Sequence, residues 1–285
     1  MARLLVAGCG FVGQELARRA AALDWTVEGW TRTGGAAERQ RSSGEAGSPN
    51  FTLRTVDLAD ADAVRTAVDT FQPDACVHCA SSGRGGPAAY RSVFLSGICN
   101  LVQAAPRVRM VFTSSTSVYS QIDGSVVTEA SPAEPGRETG RILLEAERVA
   151  LETGGAVARL AGIYGPGRSA HLRKLLEGEA AIEGDGARWI NQIHRDDAAA
   201  ALFQVAQRGV ASGIYNVSDN EPLQQFALYE FLASHLAKPM PPRAEPDMDR
   251  KRGWTNKRVS NARLRGLGWN PRFPSFQTAI LAGAV

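Results

Sequence analysis

The chain has 285 residues, of which 44% are hydrophobic and 21% charged, enough apolar material for one large or two small compact units. Its 32 basic and 29 acidic residues leave a formal charge of +3, too small and too dispersed to point to nucleic acid as the partner. No apolar run approaches the roughly 20 residues of a membrane span, the opening residues carry no signal-peptide pattern, and the four cysteines sit in apolar surroundings, so a reducing cytoplasm is the expected compartment.

In chain order, the apolar run Arg3 to Ala7, a group of glycines, and Phe11 to Leu23 with apolar residues at helical spacing read as strand, turn and helix. Thr26 to Arg32 reads as a second strand, and Thr33 to Asn50, rich in Gly, Ser, Ala and Glu, as a mobile loop. Phe51 to Val56 follows as a strand, Asp60 to Phe71 as a helix opened by an acidic cap, and Ala75 to Ala80 as a strand. A helix near Tyr90 to Ala104 leads to the strand Val108 to Thr113, and a helix from Gly136 to Thr153 to the strand Ala156 to Leu160. A helix near Asp196 to Arg208, a strand Ile214 to Val217, a helix Pro222 to Ala237, a proline-rich stretch and a basic tail complete the chain.

Strands alternating with helices imply an α/β fold, a Rossmann-like doubly wound parallel sheet covered on both faces. The expected division is a dinucleotide-binding domain over 1–160 and a smaller C-terminal lobe over 161–285, interleaved with the sheet domain. Arg250, Lys251, Arg252, Lys257 and Arg258 read as a solvated basic face. Cys76-Val77-His78-Cys79 looks like half a zinc site, but no second ligand pair follows at useful spacing, so buried strand thiols and no metal are expected.

Gly8-Cys9-Gly10-Phe11-Val12-Gly13 is a G-x-G-x-x-G turn lying directly after a predicted strand and opening a helix. The first glycine permits the tight turn, the second lets backbone approach a pyrophosphate, and the third allows close packing of helix on strand. At the tip of the second strand, Thr31 and Arg32 stand where an acidic residue would select NAD. An arginine there pairs a 2′-phosphate, so NADP is preferred over NAD. Glu28 lies mid-strand, too early to reach the ribose.

Further segments resemble the extended short-chain dehydrogenase/reductase superfamily, also described as the NAD-dependent epimerase/dehydratase family. Asp57-Leu58 resembles the pair that meets adenine, and Val77 to Ser81, with Ala80 and Ser81, the strand under the cofactor. Phe112 to Tyr119 is similar to the S-S-x-x-V-Y segment, which places Ser115 at the catalytic serine position. Arg159 to Gly167 resembles R-x-x-N-I-Y-G-P-G with Gly162 for asparagine, Asn191 to Asp197 resembles the I-H-x-x-D stretch, and Tyr215-Asn216-Val217 the Y-N-V strand.

Where the family has Y-x-x-x-K, this chain has Thr139 and Leu143, while Gly140, Glu145 and Glu147 hold the register. That resembles an atypical, YeeZ-like branch. An alkyl hydroxyl is no acid near pH 7 and Leu143 cannot hold a ribose, so any activity needs another proton donor. The candidates are Ser115 and Tyr119 for catalysis, and Ser115, Tyr164 and His194 for substrate. Tyr119 also reads as an aromatic packed beneath the pocket, and His194 as a structural hydrogen bond. The expected function is an NADP(H)-dependent oxidoreductase or epimerase-like enzyme on a small polar substrate. The alternative is a non-catalytic NADP-binding regulatory or sensor protein, and a third reading is a structural protein that has lost its cofactor. Superfamily members commonly dimerise through the active-site helix, where Ile142, Leu143, Leu144 and Val149 offer an apolar face, which leaves a homodimer open.

Overall fold

The computed structural model describes residues 1–33, 49–83, 85–249 and 253–285. Most of the loop expected over Thr33 to Asn50, and the basic residues Arg250, Lys251 and Arg252, lie outside the described residues. Seven strands form one parallel sheet: β1 (Arg3–Ala7), β2 (Thr26–Thr31), β3 (Phe51–Thr55), β4 (Ala75–His78), β5 (Arg109–Ser115), β6 (Ala156–Leu160) and β7 (Ile214–Val217). Their order is β7-β6-β5-β4-β1-β2-β3. Chain order reverses at β1, whose Ala7 is paired with Trp30 of β2 on one side and His78 of β4 on the other. All four residues of β4 are buried, as expected for a parallel strand covered on both faces.

The helices start where side chains or glycines permit. α1 (Phe11–Ala21) opens at Gly10 and buries Val12, Leu16, Ala17 and Ala20. α2 (Ala61–Phe71) is capped by Asp60, whose carboxylate accepts from the amides of Asp62 and Ala63 at 3.1 and 3.0 Å, a cap worth about 1 kcal/mol. The helix expected near Tyr90 begins earlier, at Pro87, and passes through a π-helical turn, Arg91–Ser96, before α3 (Gly97–Ala104). α4 (Glu138–Glu152) and α5 (Arg195–Arg208) follow.

The chain divides into two compact units. One comprises Met1–Ser115, Glu138–Arg159 and Ala199–Tyr215; the other Thr116–Arg137, Leu160–Ala198 and Asn216–Val285. The cut expected after residue 160 lies beside the handover at Arg159, and two further segments cross it, 116–137 into the second unit and 199–215 into the first. The second unit is built on two- and three-residue strand pairs: Gly162–Tyr164 with Gln192–His194, Trp189–Ile190 with Leu223–Gln224, and Val126–Val127 with Arg258–Val259. Leu223–Gln224 is thus strand, and the helix expected from Pro222 starts at Gln225 and runs to His235. Its core gathers Tyr164, Ile182, Leu228, Leu232 and Phe276.

Two expectations about polar side chains meet different fates. Of the thiols expected to be buried in a strand, that of Cys76 is buried in β4, whereas Cys79 follows the strand and is half-buried; burial pushes the thiol of Cys9, in the turn after β1, up to about 12 and that of Cys76 higher still. Lys257, read as part of a solvated basic face, is buried at 4% exposure, because it lies beside a short strand pair that turns Arg258 outward and Lys257 inward.

His78 is fully buried between Phe94 and Phe112 and shares a 2.9 Å hydrogen bond between Nε2 and the carbonyl of Val93. Burial lowers its pKa, outweighing its backbone hydrogen bonds. An unfolded histidine binds a proton below about 6.5, so the stability contributed by keeping this ring neutral is present above that pH and is lost as pH falls below it. Asp197 and Asp219, raised by burial, pull the other way. The difference between wild type and His78→Phe isolates the effect. Denaturant titrations from pH 7 to 5 are expected to show wild type losing up to ~1.4 kcal/mol per pH unit more than the variant; parallel profiles would contradict this.

Candidate functional site

The carboxyl ends of adjacent strands in the first unit bring the cofactor candidates together. Gly8 follows β1, Thr31 and Arg32 end β2, Asp57 and Leu58 follow β3, Ala80 and Ser81 follow β4, and Ser115 ends β5. These strand ends flank the switch in strand order at β1, the place where open α/β sheets take their ligands.

The three glycines differ in what a side chain would meet. Gly8 sits at φ +104°, and a Cβ there would lie 2.2 Å from the amide nitrogen of Ala80. At Gly13 it would lie 2.4 Å from the carbonyl oxygen of Gly8. Both positions are filled by the fold itself. At Gly10 a Cβ would have nothing within 4 Å. The turn is fastened by the amides of Gly8 and Cys9, both donating to the carbonyl of Trp30 at 3.2 and 2.6 Å. No side chain caps α1 and no acid stands in its first turn, which suits an anionic group at the helix N-terminus. The residues therefore fit a dinucleotide pyrophosphate.

At the ribose end, Glu28 is already engaged: it accepts from Trp30 Nε1 at 2.7 Å and faces Arg54 at 3.8 Å. Arg32 is exposed, and Thr31 Oγ1 donates to the carbonyl of Thr33 at 3.0 Å. Asp57 is exposed, with Oδ1 accepting from the amide of Ala59; Leu58 is buried and its carbonyl accepts from Asn100 Nδ2 at 2.8 Å. Phe11 is half-buried, Val12 buried, and Ser81 exposed with its hydroxyl accepting from the amide of Gly83.

Ser115 is half-buried at the tip of β5. Thr139 and Leu143 are buried on α4, at 9% and 3% exposure, so the position that resembles the family's lysine holds an apolar side chain inside the unit. Ile142 is buried as well, Leu144 and Val149 are half-buried, and Arg141, Arg148 and Glu152 are exposed. α4 is pinned from beneath by an arrangement that sequence reasoning did not find. Glu147, 2% exposed, takes Arg159 Nη2 at 2.6 Å and Nε at 3.1 and 3.2 Å, and accepts from Ser114 Oγ at 2.5 Å. Glu147 and Arg159 each belonged to a quoted motif, but the only signal for their pairing was that both motifs were kept. Ser114, Glu147 and Arg159 join β5, α4 and β6 through charge-assisted bonds.

The remaining candidates lie in the second unit and are committed to its interior. Tyr119 is fully buried and its hydroxyl donates to Asn216 Oδ1 at 2.9 Å. Tyr164 is 1% exposed, packs edge-on to His194 and Phe276, and has its hydroxyl pushed upward by burial and then by Asp219 and Asp197. The His194 ring accepts from the amide of Asp196 at Nδ1, 3.2 Å, so its proton sits on Nε2, which donates to the carbonyl of Ala284 at 2.8 Å. With both ring nitrogens used, His194 orients backbone. Asp197, in the same stretch, accepts from the amides of Arg272 and Phe273 at 2.7 and 2.9 Å. Among the described residues no three His, Cys, Asp or Glu side chains gather as a metal site, and no helix is long and apolar enough to cross a membrane.

Comparison with known proteins agrees with this geometry. The model of the NAD-dependent epimerase/dehydratase family matches residues 4–218. Protein YeeZ of Escherichia coli K12 is 30% identical over 283 residues, covering 96% of this chain and 97% of its own length. The beta subunit of mouse methionine adenosyltransferase 2 is 25% identical over 311 residues, covering 98% of this chain and 86% of its own. Among solved structures, the dTDP-glucose 4,6-dehydratase DesIV of Streptomyces venezuelae, with NAD bound, superposes with a TM-score of 0.82 at 24% identity, covering 99% of this chain and 95% of its own.

Proposed function

Starting from the fact that this chain belongs to the NAD-dependent epimerase/dehydratase family, we propose that it binds a nicotinamide dinucleotide, NADP in preference to NAD, and works on a small polar substrate as an oxidoreductase or epimerase-like enzyme. The observation that carries this reading is the contrast among the glycines: the fold uses up the space at Gly8 and Gly13 and leaves it open at Gly10, where a pyrophosphate would lie. Thr31 and Arg32 would meet the adenosine ribose, Asp57 and Leu58 the adenine, and Ala80 and Ser81 the middle of the cofactor. Once bound, the nicotinamide supplies or accepts hydride. Ser115 would hold a substrate oxygen by a hydrogen bond. Neither Thr139 nor Leu143 supplies the proton, so the donor is non-standard.

A second reading, a non-catalytic NADP-binding regulatory protein, is favoured by Leu143, which is packed rather than left beside an empty site. The mouse relative, whose name makes it a subunit of another enzyme, fits that reading.

Calorimetry and turnover separate the two. NADPH and NADH titrations of wild type and Arg32→Ala are expected to show a ~10- to 100-fold loss for NADPH, the cost of a charge-assisted bond, with NADH changed by less than about threefold. Equal losses remove the case for NADP. A panel of carbonyl, imine and nucleotide-sugar compounds is expected to give cofactor turnover that Ser115→Ala lowers ~10-fold or more. Tight NADPH binding with no turnover anywhere in the panel would hand the case to the regulatory reading.

A further inference from the structure

Lys257 is a buried charge that the cofactor candidates do not use. Its ammonium donates to the carbonyl of Tyr119 at 2.9 Å and to Thr255 Oγ1 at 2.8 Å, and no carboxylate among the described residues pairs with it. Burial, with Arg188 nearby, brings its amine down to about 8. An unpaired buried ammonium is costly, and a methionine of similar length would pack there without that cost.

What the lysine holds explains its presence. Tyr119 closes the short turn Thr116–Val118, its amide donating to the carbonyl of Thr116 at 3.3 Å, and Thr116 is the chain neighbour of Ser115. Tyr119 is gripped at both ends: its carbonyl by Lys257, its hydroxyl by Asn216, which in turn donates to the carbonyl of Ser260 at 3.2 Å. The gripping segment is itself held by hydrogen bonds. Arg258 and Ser260 donate through their amides to the carbonyls of Ser125 and Val127, while Asn191 spans it, taking the Val259 amide at 2.7 Å and giving to the Lys257 carbonyl at 2.8 Å.

We propose that Lys257 is a positioning residue: by holding the Tyr119 carbonyl it fixes the turn that follows Ser115, and so sets where the serine hydroxyl points. The kinetic half of this proposal rests on the oxidoreductase reading above; the structural half does not.

The test uses the full chain, with Lys257→Met, Lys257→Arg and the milder Lys257→Gln, which keeps a neutral donor one bond shorter and serves should the methionine variant not fold. Amide hydrogen exchange is expected to quicken ~10-fold or more at residues 116–119 in Lys257→Met or Lys257→Gln, with NADPH affinity within twofold of wild type, and Lys257→Arg is expected to restore protection. Exchange at 116–119 unchanged, or quickened equally throughout the chain, overturns the proposal, as does an arginine variant no better than methionine. On any substrate that wild type turns over, Lys257→Met is expected to lower kcat ~10-fold with the KM for dinucleotide unchanged. An unchanged kcat overturns the proposal and leaves the oxidoreductase reading standing. If no substrate is turned over, that reading fails and the exchange result alone decides.

Discussion

Replacing Glu147 with leucine is expected to lower stability by about 3–5 kcal/mol, the range found when one partner of a buried ion pair is removed. The loss is large for three reasons that act together. Arg159, 4% exposed, keeps its charge and loses the carboxylate that received three of its contacts. Ser114 Oγ loses the acceptor at 2.5 Å, and an unmet buried hydroxyl adds its own desolvation cost. The leucine also puts an apolar branch into a space shaped for a planar group. The melting temperature is expected to fall by on the order of 10 °C. Removing both charges, in Glu147→Leu with Arg159→Met, is expected to recover more than half of the loss, since a buried pair exchanged for apolar residues is often neutral. Additive losses in the double variant would show that the two side chains stabilise independently, contrary to the geometry.

Alanine at Gly8 and at Gly10 is expected to separate folding from binding. At Gly8 the methyl group meets the backbone of Ala80 at 2.2 and 2.3 Å while the backbone holds φ at +104°, so strain and overlap coincide and a cost of ~4 kcal/mol or more is expected. Gly10 has φ −93° and open space at its Cβ; alanine there is expected to change stability by less than about 1 kcal/mol. Its effect falls on the ligand: a methyl group where backbone approaches pyrophosphate is expected to weaken NADPH binding ~10-fold or more. Melting curves and calorimetry on the two variants decide it. Wild-type affinity in Gly10→Ala would mean that the phosphates lie elsewhere.

The sheet was legible because parallel strands buried on both faces leave short unbroken apolar runs, such as Val77 between its neighbours in β4, and because Gly8, Gly10 and Gly13 stand at a strand-to-helix junction. The carboxyl ends of β1 to β5, where the cofactor is proposed to lie, followed from the same elements. Contacts between distant segments were not legible. Trp189–Ile190 and Leu223–Gln224 pair over two residues each, too few for a period of two to register. Lys257 sat within a run of basic residues, and its inward direction is set by the alternation of a two-residue strand. The hydroxyl of Tyr119 found its partner 97 positions away in Asn216. That Thr139 and Leu143 stand where the family has tyrosine and lysine was plain from the residues; that Leu143 is buried shows only in the fold.

The π-helical turn at Arg91–Ser96 bears on helical phase. A π turn takes in one residue more than an α turn, so side chains beyond it are rotated relative to those before it. The first residue of that turn, Arg91, points toward α4, 3.2 Å from Glu145 and 3.7 Å from Glu138. Past it, Gly97 lies against the imidazole of His78, where an added Cβ would come within 3.1 Å of Nε2. One uninterrupted α-helix would hold these two faces at a fixed angle. The extra residue lets the same rod grip α4 with one side and close over β4 with the other.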